Sequence, residues 1–212
     1  PYSFFNDNER AGIFYDIFTE ISEITGLHFT FTTLSVARGR IQFNQGKVDI
    51  EPGVNPIWRK GEEVLGLYSV SYAYSNEVIL AKSGELTTDV TTFYGEVIGN
   101  VRGYSHGVFE EHLGEDKIIT SDNVSERMLI EQLHNDRFKY ILIGEATAAY
   151  YAHNYHKYSK QVVVYNISKT PVSMRIHPQH PQLLKQINDA LSQMIDSGKI
   201  KQIYKKYGYT LE

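Results

Sequence analysis

The C-terminal part of the chain carries the stretch LLKQINDAL (residues 183–191), which is followed by SGKIKQIYKKYG (residues 197–208). The first stretch has the apolar spacing of an α-helix, and Gly198 is a residue at which helices commonly end. The residues after this glycine predict a short second helix that finishes in Lys206-Tyr207-Gly208. A helix, a glycine stop and a second helix are therefore expected at this end of the protein.

The composition is that of a globular protein and excludes several classes of function. Of the 212 residues, 42% are hydrophobic and 22% are charged, with a net charge of −4 that argues against nucleic acid as a partner. No apolar run approaches the roughly 18 residues that a membrane helix needs. Cysteine is absent, which excludes disulfides and thiolate chemistry. The chain opens at Pro1 without Met, which predicts an exported protein whose signal peptide has been removed.

Upstream of the tail, predicted strands alternate with predicted helices. Apolar residues at helical spacing predict a helix from Gly12 to Gly26, with Gly26 as its stop. Strands alternating with helices imply parallel sheets that carry helices on their faces. The other predicted strands are 29–32, 48–50, 78–81, 97–101, 140–143 and 162–165, and the other predicted helices are 36–43, 106–113, 128–133 and 146–152.

Two α/β units of about 80 residues each, with the helical tail left over, predict two lobes. The chain is expected to cross between the lobes near 82–86 and again near 170–175. At the first crossing, Ser83-Gly84 breaks the chain after a strand. Lobe one is then expected to comprise 1–83 and 174–212, and lobe two 84–173. The tail would return to complete lobe one.

Six motifs in order resemble family 3 of the bacterial extracytoplasmic (periplasmic) solute-binding proteins, the amino-acid-binding type. They are Pro1-Tyr2-Ser3-Phe4, the helix start from Gly12 to Phe18, Gly46-Lys47-Val48-Asp49-Ile50, the segment 68–75, the turn at Gly103, and the tail. The resemblance implies the α/β type II periplasmic-binding-protein fold, a two-lobed clamshell in which each lobe is a mostly parallel sheet flanked by helices.

The resemblance also implies a function. Such a protein captures an amino acid or a related small carboxylate by closure of its lobes and delivers it to the membrane permease of an ABC transporter. A periplasmic or otherwise extracytoplasmic monomer without metal or cofactor is expected. Two alternatives stay open: the ligand-sensing domain of a membrane receptor kinase or cyclase, and an enzyme on the same scaffold. The chain stops at Leu211-Glu212 without a membrane helix, which favours the free binding protein over a sensor.

In lobe one the resemblance assigns Arg59 to the ligand's carboxylate. A guanidinium is a planar fork that gives two charge-assisted hydrogen bonds to a carboxylate. Exchange of Arg59 for Ala is therefore expected to abolish carboxylate binding with little loss of stability.

The family usually places Ser or Thr five and seven residues before that arginine. Val54 and Pro52 occupy these positions here; Val54 offers only its backbone N–H, and Pro52 offers none. Asn55 and Glu51 are polar neighbours that can substitute, and Trp58 is either a cleft wall or a packing residue. Candidate aromatic walls, with ordinary packing as the alternative, are Tyr2, Phe4, Tyr15, Tyr72 and Tyr74.

In lobe two the matching turn is Gly103-Tyr104-Ser105, preceded by Arg102. A helix N-terminus favours an anion because its first amide groups are unpaired and its dipole end is positive. Ser105 supplies a hydroxyl, with plain helix capping as the alternative. The resemblance places the family's ammonium-binding aspartate at Gly144, and Glu145, the next residue, is the candidate to replace it if the register shifts by one. The sequence therefore leaves open whether the ligand carries an amine.

Other chemistry has little support in the sequence. The pairs His153/His156 and His177/His180 lack a matching third zinc ligand, so surface histidines are the better interpretation. No phosphate-binding loop and no nucleophile elbow is present. The sequence predicts a binding protein rather than an enzyme.

Overall fold

The structure is a computed structural model that describes residues 1–6, 9–102, 104 and 106–211. The chain forms two compact units, unit one (1–74 and 170–212) and unit two (75–169). The strands are β1 (Phe4–Asn6), β2 (Glu9–Ala11), β3 (Ile50–Val54), β4 (Leu67–Tyr68), β5 (Ala73–Ala81), β6 (Val97–Val101), β7 (Ile119–Asn123), β8 (Tyr140–Gly144) and β9 (Val162–Ile176). The helices are α1 (Ile13–Thr25), α2 (Val36–Asn44), α3 (Glu126–His134), α4 (Glu145–Asn154), α5 (Gln182–Asp196) and α6 (Lys199–Lys206). None of the helices in these ranges has the length and apolar character needed to cross a membrane.

The predicted helical tail is confirmed, and it packs on the first helix of unit one. Gly198 separates α5 from α6 in a left-handed conformation with φ of 74°. Helix α1 contacts both α5 and α6, and all three bury their apolar faces. The hydroxyl of Tyr207 accepts a hydrogen bond from the N–H of Gly12 at 3.0 Å and donates one to Asp16 at 3.0 Å. The tail is therefore tied to the start of α1.

Strand pairing in unit one differs from the sequence-based expectation. Within its described residues, β3 and β4 both pair antiparallel with the end of β9, and β1 pairs antiparallel with β2. The expectation of a mostly parallel sheet is thus wrong for these pairs, because the chain returns along β9 in the opposite direction. Residues 29–32, predicted as a strand, form none. Their rings instead pack on α1, with Phe29 and Phe31 centred 4.8 and 5.7 Å from the ring of Phe18.

Unit two has the predicted parallel arrangement. Strand β6 pairs parallel with β7 and β8, and β5 pairs antiparallel with β8. Apolar side chains fill both faces of this sheet: Val78, Ile141 and Ile143 pack on one side, Ile79 and Leu142 on the other. Alternate residues of one strand point to opposite faces, so strands buried on both faces appear as continuous apolar runs.

The carboxyl ends of β6, β7 and β8 lie at one edge of unit two, because the three strands run parallel. Helices α3 and α4 begin there, directly after β7 and β8. Past β6, the expected helix up to Leu113 is instead a short 3-10 helix, Gly107–His112, which starts at a glycine with φ of 58°. We call the residues that follow these strands the carboxyl edge of unit two; those used below are Arg102, Tyr104, Glu126, Gly144, Glu145 and Thr147.

Candidate functional site

In unit one, the residues after β3 form a capped 3-10 helix, Pro56–Arg59. The side chain of Asn55 caps it by accepting a hydrogen bond from the N–H of Ile57 at 2.9 Å. Its amide nitrogen donates to the carbonyl of Pro171 at 2.8 Å. Asn55 is buried, so both ends of its side chain serve the local fold. The short helix positions Arg59 at its last residue.

Arg59 is buried, and its guanidinium is engaged by Glu51. The Nε atom donates to Oε2 of Glu51 at 3.2 Å, and Nη2 forms a second, shorter contact with Oε1. A further bond runs from Nη1 to the carbonyl of Trp58 at 3.2 Å. The fork predicted to hold a ligand carboxylate thus holds a carboxylate of the protein itself.

Arg175 completes this cluster from β9. Its Nη1 atom donates to Oε2 of Glu51 at 2.9 Å, and its Nε atom to the carbonyl of Leu65 at 3.0 Å. The guanidinium carbon lies 3.9 Å from the ring centroid of Phe43, and the side chain is fully buried. We call Glu51, Arg59 and Arg175 the Glu51 cluster. Its three charges sum to +1, and the carboxylate of Glu62, which pairs with Arg40, also interacts with Arg175.

Sequence reasoning missed Arg175, although a signal was present. The residue stands among apolar neighbours in the strand Val172-Ser173-Met174-Arg175-Ile176. A charged residue within such a run is buried only when it is paired. Its partner, Glu51, lies 124 residues earlier in the chain, a pairing that no local pattern reveals.

The remaining candidates of unit one are placed mainly by packing. Val54 is buried in β3 opposite Ser173. The ring of Tyr2 stacks on Phe14 at 5.0 Å, and Phe4 meets Tyr207 edge to face at 6.2 Å. Trp58 and Tyr74 keep 37% and 39% of their surface exposed, enough for contact with a small molecule.

In unit two, three predicted residues follow strands that end at the carboxyl edge. Arg102 is exposed, with Nε 3.8 Å from Oδ2 of Asp122. Tyr104 is 43% exposed, and partial burial together with nearby acidic groups raises the pKa of its hydroxyl. Glu145 is the first residue of α4 and accepts a hydrogen bond from Asn76 at 2.9 Å. Gly103 and Ser105 lie outside the described residues.

A polar network lies beside this edge and was not predicted. The ring of His106 is buried, with Nδ1 3.1 Å from Oε1 of Glu77 and Nε2 2.9 Å from Oδ1 of Asn100. Asn100 in turn donates to Asp122 at 3.5 Å, and the backbone N–H of His106 donates to Glu110 at 3.1 Å. The network links β5, β6 and β7 and positions the chain just after β6.

Glu126 is a further residue of the edge that sequence reasoning missed. Its Oε1 atom accepts a hydrogen bond from the N–H of Gly144 at 3.3 Å, and Oε2 accepts one from the hydroxyl of Thr147 at 3.0 Å. Burial raises the pKa of the Glu126 carboxyl above its usual range. A Cβ atom added at Gly144 would lie 3.4 Å from Oε1, so this carboxylate occupies the space next to the missing side chain.

Two α/β units assembled from a discontinuous chain, with helices that start at the carboxyl ends of parallel strands, define the class of type II periplasmic-binding folds. The chain belongs to the bacterial extracellular solute-binding proteins, family 3, whose family model matches residues 1–210. This confirms the resemblance and the fold class that the sequence predicts. Comparison with curated protein sequences gives no significant match.

Solved structures share this fold at low sequence identity. The ligand-binding core of GluR0, in complex with L-glutamate, is 17% identical and has a TM-score of 0.82, with 99% of this chain and 94% of that chain covered. The arginine-, lysine-, histidine-binding protein ArtJ from Geobacillus stearothermophilus is 20% identical, with a TM-score of 0.76 and coverage of 99% and 91%. The VFT2 domain of BvgS from Bordetella pertussis is 19% identical, with a TM-score of 0.74 and coverage of 98% and 88%.

Proposed function

We propose that this protein is an extracytoplasmic receptor that binds an amino acid or a related small carboxylate and delivers it to the permease of an ABC transporter. The observation that carries the proposal is the family match over residues 1–210. The GluR0 core is a complex with L-glutamate, and ArtJ is an arginine-, lysine-, histidine-binding protein. An amino acid is therefore the first class of ligand to test.

The carboxyl edge of unit two supports binding of such a ligand. In open α/β sheets, ligands bind outside the carboxyl ends of the strands. The N-termini of α3 and α4 bring backbone N–H groups to this edge, which suits a carboxylate. Arg102 adds positive charge, and Tyr104 offers a partly exposed ring.

The Glu51 cluster restricts how Arg59 can bind a ligand carboxylate. Because Arg59 already donates to Glu51 and to the carbonyl of Trp58, a ligand carboxylate must use its remaining N–H groups or compete with Glu51. Two guanidinium groups share the single carboxylate of Glu51, so an anion remains favourable beside Arg59. Arg59 thus stays the proposed anion-binding residue of unit one.

A thermal-shift screen of the purified protein tests the proposal. The panel contains acidic, basic and neutral L-amino acids, their D-enantiomers as controls, small dicarboxylates, amines and short peptides. A ligand at a hundredfold excess over Kd stabilises the folded state by about 2.7 kcal/mol. A shift with an L-amino acid or another carboxylate, confirmed by calorimetry, supports the proposal. Absence of a shift with every carboxylate contradicts it.

A receptor domain is the second candidate function, because the BvgS domain and the GluR0 core share the fold. Fractionation of cells that express the full-length gene product separates the two. Release by osmotic shock supports a free transport receptor, and retention in the membrane supports a sensor. Family 3 consists of binding proteins, so we expect the bound ligand to be recovered chemically unchanged by mass spectrometry.

A further inference from the structure

We propose that His106 carries a proton on both ring nitrogens when the carboxyl edge of unit two binds an anionic ligand, and that loss of one proton weakens binding. This inference rests on the proposed function and adds a regulatory property to it, namely a response of affinity to pH. Three observations carry it. Both ring nitrogens face acceptors, the ring lies at the carboxyl edge, and its charge balances that of Glu77.

The two ring nitrogens of His106 both face hydrogen-bond acceptors. The Nδ1 atom lies 3.1 Å from Oε1 of Glu77, and Nε2 lies 2.9 Å from Oδ1 of Asn100. A neutral imidazole has one N–H group and can donate only one of these hydrogen bonds, whereas the imidazolium ion donates both. The His106 side chain is only 3% exposed, so an acceptor left unpaired beside it would lose most of its contact with water. The geometry therefore matches the charged form of the ring.

Asp122 orients the side chain of Asn100. The Nδ2 atom of Asn100 donates to Oδ1 of Asp122 at 3.5 Å, which leaves the amide oxygen for the ring of His106. Rotation of the amide by half a turn would place its oxygen against the carboxylate of Asp122, so that two acceptors would face each other. Asn100 therefore presents an acceptor to Nε2 of His106, and that nitrogen must carry a hydrogen.

The ring of His106 lies at the carboxyl edge. Glu77 pairs with Gly144, the last residue of β8, and Asn100 is the second-last residue of β6. Strand β8 stands between β5 and β6 in the sheet, so the ring bridges the two strands that flank it. Tyr104 precedes His106 by two residues and is held in the same short segment after β6. The contacts of His106 thus position part of the carboxyl edge.

Three acidic side chains stand around His106. Glu77 on β5 contacts the ring, and Glu110, on the 3-10 helix that follows, accepts a hydrogen bond from the His106 backbone N–H at 3.1 Å. Asp122 on β7 is the next carboxylate of the network and also faces Arg102. An imidazolium ion balances part of this negative charge, whereas a neutral ring leaves the Glu77 carboxylate without that counter-charge.

The charge of Glu77 acts on the residues proposed to bind an anion. Burial raises the pKa of the Tyr104 hydroxyl, and the negative charges of Glu126 and Glu77 add to this rise. Burial also raises the pKa of the Glu126 carboxyl, with a smaller contribution from Glu77. A ligand carboxylate beside Tyr104 would experience the same repulsion. Because the proton on His106 reduces this repulsion, affinity for an anion should be higher while His106 is charged.

Nuclear magnetic resonance tests the charged form in the ligand-free protein. Spectra of protein made with isotope-labelled histidine distinguish protonated from unprotonated ring nitrogens, and comparison with His106→Gln assigns the signals of His106. In a titration from about pH 5 to about pH 8, both nitrogens should carry hydrogen at the acidic end, and one should lose it as pH rises. The inference is overturned if either nitrogen lacks hydrogen throughout this range, or if neither loses it.

Titration calorimetry over the same pH range tests the link to binding. The probes are L-glutamate, L-arginine and the carboxylate of the thermal-shift panel that gives the largest shift. Affinity should fall by about 5-fold or more, with its midpoint at the pH where His106 loses its proton. Such coupling is reciprocal, so a bound carboxylate should move the His106 titration to higher pH.

Four variants separate the charge of His106 from its structural contacts. Glu77→Gln removes the charge that the imidazolium ion balances, so affinity should stay at its acidic value and lose its pH dependence. His106→Gln should bind with the weaker, alkaline affinity at every pH, and adding Glu77→Gln to it should restore binding. His153→Gln, on the exposed surface of α4, is the control and should keep the wild-type profile. Circular dichroism checks that each variant is folded.

The outcomes separate this inference from the proposed function. If the wild type binds no carboxylate of the panel, the proposed function fails and the inference fails with it. If a carboxylate binds but Glu77→Gln or His106→Gln keeps the wild-type pH dependence, the inference is overturned while the proposed function stands. It is also overturned if the midpoints of affinity and of the His106 titration differ, or if the double variant binds no better than His106→Gln.

Discussion

The Nε atom of Arg59 lies 3.2 Å from Oε2 of Glu51, and the same oxygen accepts a hydrogen bond from Nη1 of Arg175 at 2.9 Å. One carboxylate is therefore shared by two buried guanidinium groups. An arginine selected from sequence as a ligand-binding residue is thus also part of the internal framework of unit one. Its substitution should affect stability as well as binding.

Glu51→Gln should destabilise the protein by about 3–5 kcal/mol, because it removes the carboxylate charge that two buried arginines share. Arg59→Ala should cost less, about 1–3 kcal/mol, because Glu51 keeps Arg175 as a partner. This replaces the sequence-based expectation that Arg59→Ala leaves stability nearly unchanged. Urea unfolding measures both changes.

Arg102→Ala removes only an exposed ion pair, in which Arg102 Nε lies 3.8 Å from Asp122 Oδ2, and serves as the control for these two variants. The expected change in its free energy of unfolding is below about 1 kcal/mol. If Glu51→Gln unfolds at the same urea concentration as the wild type, the Glu51 cluster does not stabilise the fold as inferred.

Gly53→Ala should destabilise unit one by about 1–3 kcal/mol. Gly53 has a φ of 69°, and a Cβ atom there would lie 2.5 Å from the ring of Phe14. Gly39→Ala is the matched control: that glycine lies within α2, and apart from its chain neighbours and the helix backbone no described atom lies within 4 Å of its added Cβ. Alanine there should stabilise by about 0.5–1 kcal/mol. Thermal unfolding of the two variants should therefore show shifts of opposite sign, and equal shifts would count against the close packing of Gly53.

Glu126→Gln should stabilise the ligand-free protein at neutral pH. Because burial raises the pKa of Glu126 in the folded state, that state binds the proton more tightly than the unfolded chain. Stability should then fall as pH rises from the unfolded value of about 4.3 through the folded pKa. The advantage of Glu126→Gln over the wild type should disappear below about pH 4, as urea unfolding at several pH values would show. A variant less stable than the wild type at pH 7 would mean that the hydrogen bonds from Gly144 and Thr147 outweigh the cost of burying the charged carboxylate.

Glu131→Gln provides a control of opposite sign on the same helix. Hydrogen bonds from the Tyr158 hydroxyl and from Lys157 lower the pKa of Glu131 to about 2. A lowered pKa contributes stability above the unfolded value, and this contribution is lost as pH falls through the folded pKa. Glu131→Gln should therefore be less stable than the wild type at neutral pH, and the difference should shrink in acid.

Part of the site was predictable because it follows directly from strand ends. Arg102, Tyr104 and Glu145 come immediately after apolar runs that form β6 and β8, and parallel strands bring such residues to one edge. Glu126 follows β7 in the same way, but β7 (Ile119–Asn123) contains only one apolar residue and was not recognised as a strand. Because β7 was not predicted, Glu126 was not selected as a candidate residue of the carboxyl edge.

The sequence by itself determined the elements whose signals act over a few residues. Helix α1, the α5–α6 tail with Gly198 between its helices, and the buried strands of unit two follow from apolar spacing and glycine stops. Tertiary structure alone decided which partners met. It left 29–32 without a strand, joined Glu51 to Arg175 across 124 residues, and set Glu126 against Gly144. Local propensity acts along the chain, whereas the pairing of strands and charges depends on which distant segments the core brings together.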